Sequence, residues 1–226
     1  MDIEVTKERE NMYILYDGRV RCFLFVGDTS AVLVDTGFAD CDVIGNVRKI
    51  TDLPLKVVLT HGDGDHTGGV SAVGECYAHK EDWKLLPENV KKNELCDGDI
   101  IKVGEFELEV IHIPGHTYGS VAFFERSKHF IITGDGIQKN GMIYMFGDKR
   151  NFSLYLESFE KLKGLKENID KIYPSHGICP IEAEAIDCCH EDAKRLINGE
   201  IPVEKRHDFM PCNVYKGNYT GFFYEP

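Results

Sequence analysis

The 226-residue sequence contains no apolar run approaching the roughly 20 residues that a membrane-spanning helix needs. Its opening residues, MDIEVTKERENMY, show none of the apolar core of a secretory signal. Neither a membrane protein nor an exported one is expected, and the cytoplasm is the compartment the sequence suggests. Eight cysteines are present (Cys22, Cys41, Cys76, Cys96, Cys179, Cys188, Cys189, Cys212), but none forms a Cys-x-x-Cys pair, so zinc-finger and thioredoxin-type readings fail. In a reducing compartment they are expected as free, buried or partly buried thiols. Positive charge is in deficit: 26 Lys and Arg against 38 Asp and Glu give a net −12, which repels a phosphate backbone and argues against nucleic acid as partner. No internal repeat, low-complexity tract or Pro/Gly/Ser-rich linker breaks the chain, so residues 1–226 are read as one domain.

Hydrophobic residues make up 42% of the chain, enough for a core, and their spacing predicts elements. Apolar runs at 12–16, 20–26, 31–34 and 55–59, separated by turn signals, read as an opening sheet. Residues 42–50 carry Val43, Val47 and Ile50 at helical spacing. Further strands are expected at 100–103, 106–113, 121–124 and 130–133. Helices are expected at 154–165, through Leu154, Ser158, Leu162 and Leu165, and at 181–197, through Ala185, Cys188, Ala193, Leu196 and Ile197. The tail 202–226, with Tyr215, Tyr219, Phe222, Phe223 and Tyr224, is too aromatic for a solvated end. It is expected to pack on the body or on a second copy of the chain in a homodimer.

Chemistry concentrates in VVLTHGDGDHTGG, Val57 to Gly69, where a strand delivers His61, Asp63, Asp65 and His66 within six residues. Imidazole and carboxylate are the usual protein ligands of Zn²⁺, Fe and Mn²⁺, and Gly62 and Gly64 free the backbone to curl these side chains toward one point. The metal-free alternative has Asp65 capping a helix that starts near His66. Downstream, HIPGHTYGS, FIITGDG and IYPSHG place His116, Asp135 and His176 each after an apolar strand, on a Gly-containing loop. Such placement gathers candidate ligands at one edge of the sheets.

With these residues in view, the chain resembles the metallo-β-lactamase superfamily, whose motif H-x-H-x-D-H is followed by a distal His, a bridging Asp and a last His. The resemblance runs from Val20 to about Gly177. It implies an α/β fold, a four-layer αββα sandwich of two mixed β-sheets flanked by helices. It also implies a site for two divalent metal ions, with His61, Asp63 and His116 holding the first, Asp65, His66 and His176 the second, and Asp135 bridging. Asp35, in VLVDTG, matches the family's early strand-end Asp, which supports the ligands rather than binding metal. Asp63 departs from the motif, where most members have His. Zinc is the ion implied by the resemblance, and the carboxylate at Asp63 leaves Fe or Mn open.

A family member of this kind would be a hydrolase acting on a small ester, thioester, lactone or phosphodiester through a metal-bridging hydroxide, with Asp65 and Asp135 orienting it and relaying its proton. Two alternatives stay open: a non-haem di-iron redox protein related to the flavodiiron branch, which also has a carboxylate at this position, and a nucleic-acid-processing hydrolase. For a small-molecule substrate the sequence offers candidate contacts in Lys139 and Tyr144, directly after Asp135, and in Tyr118, whose hydroxyl lies two residues past His116. The other histidines, His79, His112, His129, His190 and His207, match no motif position and are expected in surface or hydrogen-bonding roles, with His112 placed to support His116.

Overall fold

The computed structural model describes residues 2–225. They form two compact units, one running up to Ile111 and including Phe123–Ser127, the other comprising His112–Ala122 and the chain from Lys128 onward.

The first unit is built on a seven-stranded mixed sheet whose strands lie in chain order: Glu4–Arg9, Met12–Tyr16, Arg21–Val26, Ala31–Val34, Leu55–Val58, Glu75–Ala78 and Lys91–Glu94. The first four are antiparallel neighbours joined by short turns. From Ala31–Val34 onward the pairs are parallel, which requires crossover segments. These crossovers are the helices Val43–Arg48, Gly64–Thr67 and Val70–Val73 and the 3₁₀ turn Lys80–Leu85. Leu15, Leu24, Leu33, Val57 and Cys76 pack with Val43, Val47 and Val70 into one apolar layer. Arg21–Val26 is buried over its four central residues, as a strand covered on both faces must be. Ile100–Val103 and Phe106–His112 form an antiparallel hairpin, with Phe106 edge-on to Phe25 at 4.9 Å.

In the second unit Phe130–Gly134 runs parallel to Lys171–Pro174, and the crossover between them contains the helix Phe152–Leu165, capped by Asn151 through Leu154 N. The helix Ala185–Ile197 packs on it, with His190 stacked on Phe159 at 4.9 Å. A four-stranded sheet completes the unit, in the order Met142–Met145, Gly221–Tyr224, Asn213–Lys216, Val203–Arg206. The aromatic tail is therefore strand, a state its sequence conceals because the strands are short and Phe222 alone is fully buried among the expected aromatics.

Several expectations need correction. The last helix begins at Ala185 rather than Ile181, because Ile181 exchanges backbone hydrogen bonds with Ile172. Its buried face is Ala185, Ile186, Cys189, Ala193 and Leu196, while Ile197 is exposed. On the preceding helix the buried stripe is Tyr155, Ser158, Phe159 and Leu162, so Leu154 and Leu165 lie at its margins. The strands Glu4–Arg9 and Lys91–Glu94 were too polar to be legible, and Glu75–Ala78, with four residues, too short. All eight cysteines are free, but Cys96 is exposed. No helix among the described residues is long and apolar enough to cross a membrane.

Candidate metal centre

In the first unit, the parallel strands Ala31–Val34 and Leu55–Val58 end in register, Val34 opposite Val58, so Asp35 and the Thr60-His61 pair leave the sheet side by side. Carboxyl ends of parallel strands are where α/β sheets place their chemistry. Asp35 adopts a left-handed conformation, φ 63°, and is wholly buried. Its Oδ1 accepts from Thr60 N at 2.8 Å, and its Oδ2 accepts from Thr60 Oγ1 at 2.7 Å and from His66 Nδ1 at 2.8 Å. A hydroxyl has one proton, and that of Thr60 is given to Asp35. Thr60 Oγ1 must then accept from His61 Nδ1, 3.0 Å away. Both imidazoles thus carry their proton on Nδ1, and each Nε2 presents a lone pair.

Those Nε2 atoms face carboxylates. His61 Nε2 stands 3.6 Å from Asp63 Oδ2, and His66 Nε2 stands 3.6 Å from Asp65 Oδ2. The two rings lie 4.0 Å apart, centroid to centroid. The metal-free alternative fails on the helix itself: it spans Gly64–Thr67, Asp63 rather than Asp65 occupies the N-cap, and its side chain makes no cap hydrogen bond. Gly64 would tolerate a Cβ in open space, whereas one on Gly62 would meet Leu85 Cβ at 2.7 Å, so Gly62 is there for close packing. Asp82, which sequence reasoning missed, is buried and accepts from Gly62 N at 2.8 Å, anchoring the ligand loop. Nothing in its local sequence distinguished it from a surface acid.

In the second unit, Gly134 and Pro174 end the parallel pair opposite each other; Asp135 follows the first directly, and His176 follows the second after Ser175. Asp135 offers its oxygens to different imidazoles: Oδ1 is 3.3 Å from His176 Nε2, and Oδ2 is 3.6 Å from His116 Nε2. His116 is buried, and its Nδ1 donates to the carbonyl of Tyr144 at 3.0 Å, leaving Nε2 unprotonated. The loop before it is pressed on the helix Phe152–Leu165. Ser158 Oγ donates to Pro114 O at 2.7 Å, and a Cβ on Gly115, φ 138°, would stand 2.3 Å from Tyr155 Cα.

These spacings test whether a metal fits. A nitrogen and an oxygen 3.6 Å apart are beyond hydrogen-bond range. Two donors bound to one ion at about 2.0–2.2 Å with tetrahedral angles stand about 3.3–3.6 Å apart. The imidazole–carboxylate pairs of both units, at 3.3 to 3.6 Å, have the separation of co-ligands, and the tautomers of His61, His66 and His116 are set for coordination. The donors fit a divalent cation.

The remaining candidates play other parts. Tyr144 reaches His116 through its backbone, while its ring, 37% exposed, sits against Phe223 at 4.7 Å. Lys139 Nζ lies 5.4 Å from the ring centre of Tyr219. Tyr118 is exposed, and its carbonyl accepts from His112 Nε2 at 2.9 Å, so His112 braces the Tyr118 segment. His79 and His207 accept backbone hydrogen bonds within their own turns, and His129 holds a left-handed turn, φ 56°. His190, expected in a surface or hydrogen-bonding role, is buried, with Nδ1 3.8 Å from Glu160 Oε1. Burial pushes the Cys76 thiol up to about 11 and that of Cys189 to about 12, so neither is a thiolate nucleophile at neutral pH.

Comparison with known proteins gives a match to the metallo-beta-lactamase superfamily over residues 15–176. The hydroxyacylglutathione hydrolase GloC of Haemophilus influenzae is 29% identical over 163 residues, covering 62% of this chain and 72% of that protein. The atrochrysone carboxyl ACP thioesterase AacuM of Aspergillus aculeatus is 31% identical over 178 residues, covering 76% of this chain and 52% of that one. This chain spans about half the length of several curated relatives it matches. Among solved structures, a metallo-beta-lactamase from Pontibacter korlensis superposes with a TM-score of 0.71 at 20% identity, covering 85% of this chain and 99% of that one.

Proposed function

Because the chain belongs to the metallo-β-lactamase superfamily and has its α/β fold of mixed sheets with flanking helices, we propose that it is a metal-dependent hydrolase of small thioesters. On this reading His61, Asp63 and His116 would hold one divalent ion, Asp65, His66 and His176 would hold a second, and Asp135 would serve both. The observation that carries this reading is the recurrence of Nδ1-anchored imidazoles whose Nε2 atoms stand at co-ligand distance from a carboxylate. Asp135, with its two oxygens toward two imidazoles, has the geometry a bridging ligand requires.

When bound, such ions would supply Lewis acidity and bring the pKa of water down toward about 7. The protein's own part is positional. Asp35 and the Tyr144 carbonyl fix imidazole tautomers, and Thr60 transmits the charge of Asp35 to His61. Asp65 and Asp135 are the carboxylates able to take a proton during turnover and return it to the leaving group. A thiolate leaving group needs little such help, which favours thioesters among the family's substrates. The names of two relatives, a hydroxyacylglutathione hydrolase and an ACP thioesterase, point the same way.

The test is a panel of acyl-thioesters, oxygen esters, lactones and phosphodiesters assayed with metal-loaded protein. Thioester hydrolysis with solvent ¹⁸O entering the acid product, lost on chelation, is the expected result. Iron redox chemistry retains one observation, the carboxylate at Asp63. Oxygen-dependent turnover without hydrolysis of any member of the panel would replace the present reading with that one.

A further inference from the structure

We propose that the C-terminal sheet, through the buried carboxylate of Asp192, is a positioning device for the ligand His116. This rests on the metal-centre reading above. Three of the sheet's four strands lie beyond the family match, which ends at residue 176, while Met142–Met145 lies within it.

The chain of contacts starts at His116, whose Nδ1 donates to Tyr144 O at 3.0 Å. This hydrogen bond ties the direction of Nε2 to the place where Tyr144 holds its carbonyl. Tyr144 lies on Met142–Met145, the edge strand of the four-stranded sheet, whose neighbour is Gly221–Tyr224, the last strand among the described residues. They run parallel with Tyr144 opposite Phe223. A parallel pair needs a long connection and is held by nothing local. Here the ends are tied by Gly221 N to Gly141 O at 3.0 Å and Asn140 N to Tyr219 O at 3.0 Å.

Asp192 secures the turn that feeds this strand. It is 2% exposed, on the helix Ala185–Ile197. Its Oδ1 accepts from Asn218 N at 2.9 Å, and its Oδ2 accepts from Tyr219 N at 2.6 Å and Thr220 N at 3.0 Å. Arg195 Nη1 is 3.3 Å from Oδ1. Three successive backbone amides converging on one carboxylate are strong, charge-assisted donors, and the buried one, Thr220 N, would lose its acceptor if the carboxylate were removed. A carboxamide cannot replace it, because either placement of its NH₂ faces at least one of these N–H groups. Asp192 is therefore a positioning residue, acting through the turn, the last strand and the Tyr144 carbonyl.

The experiment compares wild type with Asp192→Ala, Asp192→Asn and Glu191→Gln, an exposed control on the same helix. Two readouts are taken: the ring ¹⁵N pattern of His116 in metal-free protein, and zinc affinity by chelator competition. In wild type the ring is expected as the pure Nδ1–H tautomer. In both Asp192 variants it becomes a mixture, and one of the two ions binds at least about ten-fold more weakly while the other changes less than about two-fold. Glu191→Gln leaves both readouts unchanged. An unaltered His116 ring pattern and unaltered affinities in folded Asp192→Asn overturn the inference, as does equal weakening of both ions. If wild type binds no metal, the functional reading fails, while the metal-free ring measurement still decides this one.

Discussion

Replacing Asp35 by Asn perturbs the ligand cluster with little change in shape. The residue sits at φ 63°, a conformation that Asn tolerates, so the backbone has no reason to move. The carboxylate now accepts from Thr60 N, Thr60 Oγ1 and His66 Nδ1 at 2.7 to 2.8 Å, and Asn can accept through one oxygen only. With NH₂ in the Oδ1 position, two N–H groups oppose each other across the 2.8 Å contact with Thr60 N. With NH₂ in the Oδ2 position, His66 must surrender its Nδ1 proton, and the proton moves to the Nε2 that faces Asp65. The first outcome leaves a buried donor unsatisfied, at about 1–3 kcal/mol; the second removes the lone pair needed for coordination. Loss of an outer-shell partner to a ligating imidazole lowers metal affinity by about 10- to 100-fold, or about 1.4–2.7 kcal/mol. Urea unfolding of the metal-free variant is therefore expected to show a loss on the order of 2 kcal/mol. Zinc competition should show weakening centred on the ion held by His66. A folded Asp35→Asn protein that binds both ions within two-fold of wild type would refute the tautomer argument.

Four further outcomes can be stated. Asp63→Ala should lose about one ion per chain, and Asp63→His should keep two while favouring zinc over iron or manganese, since imidazole is the softer donor; metal titration showing equal stoichiometry and affinity in wild type and Asp63→Ala would place Asp63 outside the coordination sphere. Gly115→Ala should cost on the order of 3 kcal/mol in thermal unfolding and displace the His116 loop, because its Cβ would overlap the Tyr155 backbone at 2.3 to 2.4 Å. Gly164→Ala, in the helix Phe152–Leu165 with nothing within 4 Å of the added Cβ, should instead stabilise by about 0.5–1 kcal/mol. Burial, reinforced by Lys163 and Lys194 and opposed by Glu160 and Glu191, holds His190 below its ordinary 6.5; a group depressed on folding contributes stability that is present above its unfolded pKa and lost as pH falls, so unfolding midpoints should drop between about pH 7 and pH 5, with a smaller drop in His190→Gln.

The apolar strands and the ligand loops were legible because both follow local rules. Alternating or continuous apolar runs bounded by Gly and Asp mark Arg21–Val26 or Phe130–Gly134, and histidines and aspartates packed into six residues after Val57–Leu59 have few other uses. What escaped depends on long-range pairing. Lys91–Glu94 is a strand because Glu75–Ala78 offers it a parallel edge, not because KKNE favours one. The same holds for Met142–Met145, whose partner is about 80 residues away in sequence. Asp82 and Asp192 look like surface acids in the sequence, and only the fold converges backbone amides on their carboxylates. Tyr144 was singled out as a candidate substrate contact, yet its connection to His116 is the carbonyl that every residue carries.

Elemental analysis of protein purified without added metal, together with stoichiometry for one ligand variant from each unit, His61→Ala and His176→Ala, bears most directly on the proposed centre. Close to two divalent ions per wild-type chain, a loss of about one ion in each variant and abolition of hydrolysis by chelation are the expected results. No specific transition metal in wild type, with hydrolysis unchanged after exhaustive chelation and dialysis, would contradict it.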